Sequence, residues 1–178
     1  LDTVVLDDTG ANSKAIITGS VLTANGIALG NNAADKTIIL NLSNATAEAV
    51  TGGISSTDAG DTVGLIIEDT TNGAVGDLVT ITGDISLLGS STFDVGQADA
   101  SGTAKVVGNV TAATITVKGG SGTDEASALE VTGNITGNVI LEKTTRDATL
   151  TLSGTTAQTA TGNISAQAAG DAKILVSN

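Results

Sequence analysis

An all-β chain wound as a β-solenoid, or a related stack of β-repeats, is the fold this sequence predicts, with a β-sandwich as the alternative. Three observations predict it. Short runs of β-branched residues alternate with glycine-rich turns along the whole length. A phrase of Gly, a small polar residue and Ile or Val keeps returning. The bulky side chains that fill most protein interiors are nearly missing: 178 residues include one Phe, Phe93, and no Trp, Tyr or Met. A narrow interior built from layers of Val, Ile, Leu and Ala suits such a composition better than a thick core, since each small side chain buries little area. Pro is absent as well, which leaves every N–H free to join a ladder.

Taken in order, the expected strands are 15–18, 37–42, the apolar run 63–67, 78–82, 113–118, 148–153 and 173–177. In 113–118, Thr114, Thr116 and Lys118 fall on one face and Ile115 and Val117 on the other. Such alternation marks a strand with one wet and one buried side. Thr suits the wet face because its branched Cβ fits a pleated surface. Asp7-Asp8-Thr9-Gly10, Gly30-Asn31-Asn32, Asn72-Gly73 and Gly119-Gly120-Ser121-Gly122 read as turns. Two windows, 44–50 and 123–130, have some helical character but span only about two turns. They are expected to be loops or single turns.

The repeated phrase stands at Thr18-Gly19-Ser20-Val21, Gly52-Gly53-Ile54-Ser55, Thr82-Gly83-Asp84-Ile85, Gly108-Asn109-Val110-Thr111, Thr132-Gly133-Asn134-Ile135 and Thr161-Gly162-Asn163-Ile164. A half-copy, Gly137-Asn138-Val139, lies beside the fifth. With Gly19, Gly53, Gly83, Gly108, Gly133 and Gly162 as markers, the spacing falls in the range of structural repeats. One β-repeat domain over 1–178 is expected, with 89–102, rich in Gly and Asp, as the place where a seam would fall. The first residue is Leu1 and no secretory leader is apparent. A piece of a longer surface protein is therefore expected.

Composition excludes much chemistry. Without Cys or His there is no zinc site of the usual ligands, no disulfide and no Ser-His or Cys-His pair. Lys and Arg number 7 against 19 Asp and Glu, a net charge of -12. Such a chain is repelled by nucleic acid and anionic membranes. No run approaches the roughly 18 apolar residues of a membrane-spanning helix. No catalytic role is expected.

The motif with most chemical content is Gly119-Gly120-Ser121-Gly122-Thr123-Asp124. It matches the G-G-x-G-x-D opening of calcium-binding nonapeptide repeats. There, glycines aim carbonyls at the ion and Asp adds a hard oxygen. Gly120, Gly122 and Asp124 are thus the candidate metal ligands and calcium the candidate cofactor. Ala126, where that repeat carries a large apolar residue, departs from the pattern.

Carboxylates also pair at Asp7-Asp8, Asp58 and Asp61, Glu68-Asp69, and Asp124-Glu125. They read as solvated acidic loops, with calcium bridging next and acid–base work last. Asn-x-Ser/Thr sequons stand at Asn41, Asn44, Asn109, Asn134 and Asn163, and the three inside the repeated phrase, Asn109, Asn134 and Asn163, read as turn chemistry. The lysines read as solubility and edge protection. Thr-x-Thr at 80–82, 114–116 and 149–151 offers a third, ice-binding reading, alongside carbohydrate binding.

Abundant Thr (29 residues), Gly, Ala, Asn and Val, the acidic balance and the Thr-Gly-Asn-Ile-Thr phrases together resemble bacterial surface-layer proteins. They are equally similar to the repetitive passenger regions of autotransporter surface antigens and adhesins. The resemblance implies a secreted, cell-surface, non-enzymatic protein. Its implied partners are other copies of itself in a lattice or filament, a cell-envelope component, or a host surface. It also implies calcium-driven assembly, which would give the acidic loops a purpose.

Overall fold

The computed structural model describes residues 4–6, 12–17, 22–23, 25–30, 36–44, 48–69, 78–98, 100–120, 126–142, 145–167 and 172–177. Every regular element among them is a β-strand. The chain coils, and each turn lays two or three strands on the turn before. The first turn supplies β1 (Val4–Leu6), β2 (Ser13–Ile17) and β3 (Leu22–Thr23), and the next β4 (Ile27–Leu29), β5 (Thr37–Asn44) and β6 (Glu48–Thr51). Then come β7 (Ile54–Ser56), β8 (Thr62–Asp69) and β9 (Leu78–Thr82), followed by β10 (Ile85–Ser86), β11 (Thr92–Val95) and β12 (Thr103–Val107). Longer strands form the next two turns, β13 (Val110–Lys118) with β14 (Ser127–Val131), and β15 (Ile135–Glu142) with β16 (Ala148–Leu152). The last turn holds β17 (Ala160–Thr161), β18 (Ile164–Gln167) and β19 (Ala172–Val176).

Pairing between these strands is parallel throughout. That is the mark of a solenoid and not of a sandwich, whose sheets are antiparallel. Three faces result. β1, β4, β7 and β10 stack on one, β2, β5, β8 and β11 on the second, and β3, β6, β9, β12, β14, β16 and β19 on the third. β13 bends around the corner between the first two: Val110 and Thr111 pair with β10, while 114–117 pair with β11. Its register to β15 shifts between Thr111 and Thr114, at that corner. β15 divides in the same way between β17 and β18.

Alternation becomes columns. Leu40, Leu65, Phe93, Ile115 and Val139 lie in one register line, and all are buried. Val79, Ala104, Leu129 and Leu150 form another on the third face. Each Val, Leu or Ile taken fully out of water contributes about 1.5–3 kcal/mol. The narrow interior is therefore a stack of apolar layers, with Phe93 its single aromatic.

Parts of the two windows expected as loops are strand. β6 begins within 44–50 and β14 within 123–130. Leu129 and Val131 enter the interior from β14, and parallel neighbours on both sides fix its backbone. Tertiary pairing there overrides a weak local preference. Residues 89–102 contribute β11, which is paired on both flanks.

The repeated phrase occupies two corners, not one. Gly83, Gly108 and Gly133 stack where the chain enters the first face. The Gly133 N–H donates to the Gly108 carbonyl at 3.0 Å. A Cβ on Gly133 would lie 2.5 Å from that oxygen, so only glycine lets the turns approach this closely. Gly162 is at the next corner instead. It stacks on Gly137 of the half-copy, with φ of 125° and no room for a side chain against the Gly137 carbonyl. Gly19 lies outside the described residues.

Candidate functional site

The polar groups of this solenoid are mostly spent on joining one turn to the next. At the first corner Asp84 Oδ1 accepts the Asn109 backbone N–H at 2.7 Å and the Asn109 side-chain amide at 3.2 Å. Asn109 Oδ1 accepts the Asn134 N–H, and Asn134 Oδ1 the Thr159 N–H, each at 2.8 Å and 25 residues on. At the second corner Asn138 Oδ1 accepts the Asn163 N–H at 3.2 Å. These ladders stand where the strands bend, and they give the corners a side-chain acceptor in each turn. They account for the sequon residues Asn109 and Asn134 without glycans. Asn41 is buried and its amide donates to Glu68 Oε1 at 2.6 Å. The side chain of Asn44 is outside the description.

Among the described residues the paired carboxylates do not gather into a group that could hold a metal. Asp58 Oδ1 accepts the Gly60 N–H within its own turn at 2.8 Å. Buried Asp61 accepts the Lys36 N–H at 3.0 Å, from one turn earlier. Asp7, Asp8, Asp124 and Glu125 lie outside the described residues. Asp94, on the outward side of β11, has its carboxyl pushed above the ordinary value by burial. Hydrogen bonds from Thr116 and Thr92 and the Lys118 charge oppose the shift. Glu130 is held below the ordinary value by the Ser153 hydroxyl, which donates at 2.6 Å, and by Lys105 at 2.9 Å.

Three lysines belong to the same scheme. Lys105–Glu130, Lys118–Glu142 and Lys173–Asp147 each pair adjacent turns, at 2.9, 3.0 and 2.9 Å. Beyond solubility, they lock register. Their separations, close to the 25-residue step of the corner ladders, are the sequence signal that would have revealed them.

Of the candidate metal ligands, Gly122 and Asp124 lie outside the described residues. Gly120 is buried, and its carbonyl accepts the Thr145 hydroxyl at 3.0 Å, so that oxygen already serves a turn-to-turn contact. Among the described residues no group of three or more acids is gathered to hold a metal. The Thr-x-Thr segments do not form one array. Thr80 and Thr151 share a register line on the third face, but Lys105 and Glu130 stand between them, and 114–116 is on the second face.

Two surface features remain. One is an open groove of about 460 Å³ at the first corner, lined by Gly52, Gly53, Ser55, Ser86 and Asp84 among others. Its only carboxylate, Asp84, already accepts two hydrogen bonds. The other is the last turn. Ile164, Ile174 and Val176 continue interior columns yet are 39%, 49% and 69% exposed, while Val139 and Leu150, one turn back from Ile164 and Ile174, are at 1% and 0%. No helix among the described residues is long and apolar enough to cross a membrane. No protein-family model, curated protein or solved structure matches this chain.

Proposed function

We propose that this chain is an architectural module of a cell surface: an extracellular, non-enzymatic β-coil that self-associates into a layer or fibre. The observation that carries the reading is a parallel β-coil whose polar side chains are spent on turn-to-turn contacts, as in the Asp84–Asn109–Asn134 ladder and the Lys105–Glu130 pair. Carboxylates, amides and lysines connect one turn to the next and leave the coil stiff along its axis.

Calcium assists this assembly by bridging carboxylates, Asp124 among them. An autotransporter-type stalk that binds host surfaces is the second reading. The corner groove beside Asp84 favours it, as a place where an extended ligand could lie. Size-exclusion chromatography and negative-stain imaging, with and without calcium, separate the two. Growth into sheets or filaments supports the architectural module. A persistent monomer that binds cells supports the stalk.

A further inference from the structure

The side-chain ladder of the first corner starts at Asp84, and the two turns before it carry no rung. Through the register of β4, β7, β10, β13 and β15, positions 26, 53, 84, 109 and 134 are equivalent. The main chain runs alike along this line. The carbonyls of Gly53, Asp84, Asn109 and Asn134 each accept the N–H of the Ile or Val that opens the strand one turn back, at 2.9 to 3.0 Å. The N–H groups differ. Those of Asn109 and Asn134 are held by side-chain oxygens of the preceding turn, from Asp84 and Asn109. For Asp84 and Gly53 that oxygen would have to come from positions 53 and 26, and both are glycine. Neither N–H finds an acceptor among the described residues. Gly53 is buried, and an unpaired N–H at a buried residue is uncommon.

Gly53 and Asp84 both line the groove of about 460 Å³, which crosses three successive turns along the coil axis. Its walls also carry Ser55 and Ser86, neighbours in one register line on the outward side and so about 4.8 Å apart. Asp84 gives only Oδ1 to the ladder, which leaves Oδ2 for a ligand. Gly26, Gly52 and Gly53 put bare main chain on the floor, all at positive φ. A Cβ on Gly53 would stand 2.6 Å from the Asp84 carbonyl oxygen. The chain cannot supply the missing rung itself.

We infer that this groove binds an acetamido sugar, with the amide of its N-acetyl group in the place of the missing rung. The amide oxygen accepts from the free N–H groups, the amide N–H donates to Asp84 Oδ2, and ring hydroxyls meet Ser55 and Ser86. Charge disfavours the competing acceptors. A carboxylate or phosphate would lie beside Asp84 on a chain of net charge -12, whereas an amide brings an acceptor and a donor without charge. A peptide added as a strand does not fit, because the groove crosses the strands and the edges of β7 are already paired with β4 and β10. The inference goes beyond self-association and does not depend on it.

Amide chemical shifts of the isotope-labelled chain read the two donors directly, in solution or, where the chain has assembled, by magic-angle spinning. The probes are tri-N-acetylchitotriose and cellotriose, which share a linkage and differ in the acetamido groups. The Gly53 and Asp84 signals are expected to move and saturate with the acetylated trimer, and cellotriose should bind at least about tenfold more weakly. D84N keeps the Oδ1 acceptor of the ladder and should weaken trimer binding about tenfold, by removing a charged acceptor. S55Y fills the groove and should abolish binding. T136Y, exposed on the same register line two turns beyond Ser86, should bind as the wild type does. Should S55Y lose the β circular-dichroism spectrum, S55Q takes its place. No movement at Gly53 and Asp84, equal binding of cellotriose, undiminished binding by S55Y or D84N, or an equal loss in T136Y overturns the inference. Tighter binding of a blocked Gly-Asn-Gly peptide overturns it too, in favour of a protein segment. Self-association is read separately, from particle size in the same samples.

Discussion

The turn built from β13 and β14 and the last turn, built from β17, β18 and β19, use the same register lines and nearly the same residue types. Ile115 and Ile164 share one column, and Leu129 and Ile174 another. Ile115 and Leu129 are fully buried, whereas Ile164 and Ile174 are 39% and 49% exposed. The difference lies in neighbours, not in sequence. A side chain in this fold is buried by the turns above and below it, so burial comes from stacking and the same pattern is core in one place and open surface in another.

Mutations sharpen that comparison. The largest effect is expected inside the stack. Phe93→Ala removes the one aromatic from a filled column and should cost about 3–5 kcal/mol in chemical unfolding, because the neighbouring turns are pinned by their ladders and cannot collapse into the space. Ile174→Ala, in a column but at the open turn, should cost less than about 1 kcal/mol in the monomer. Equal losses at the two positions would break the comparison. Next comes the corner. Gly133→Val forces a Cβ against the Gly108 carbonyl and should cost about 1–3 kcal/mol by the same measurement.

Smaller again is the ladder. Asn134→Ala leaves the Thr159 N–H without its side-chain acceptor. Because the site is exposed and water can substitute, the expected loss is about 0.5–1 kcal/mol. The smallest effect is pH-dependent. The folded state raises the Asp94 pKa, so it binds the proton more tightly than the unfolded chain, and the group's contribution falls as pH rises above the ordinary value of 3.8. Asp94→Asn should therefore stabilise slightly at neutral pH, by less than about 1 kcal/mol, and the difference should vanish below that value. Glu130 has the opposite sign. Its lowered pKa contributes stability above the ordinary 4.5 that is lost as pH falls through the folded value. Urea midpoints of D94N and E130Q between pH 3 and 7 should diverge accordingly.

The strands at 15–18, 37–42, 63–67, 78–82, 113–118, 148–153 and 173–177 were legible, because alternation in segments such as 113–118 reports a half-buried strand directly. The others, among them β6, β11, β12, β14 and β15, were not read from the sequence, since pairing with neighbouring turns defines them. The Gly-Asn phrase was visible, but which copies stack was not. Gly162 follows Gly137 and not Gly133, because the phrase serves two corners of one turn. The Asp84–Asn109–Asn134 ladder and the Lys105–Glu130 pair depend on a 25-residue step that becomes evident once the register is known. The open last turn had no sequence signal, because Ile174 and Val176 have the residue types and spacing of any interior position.

The central claim, that among the described residues the interior turns are paired on both flanks and the last on one, is tested most directly by amide hydrogen exchange in dilute solution. Amides of β13 should exchange orders of magnitude more slowly than those of β19 that point away from β16. Protection at those outward β19 amides equal to that of β13, in a chain verified as monomeric, would contradict the account.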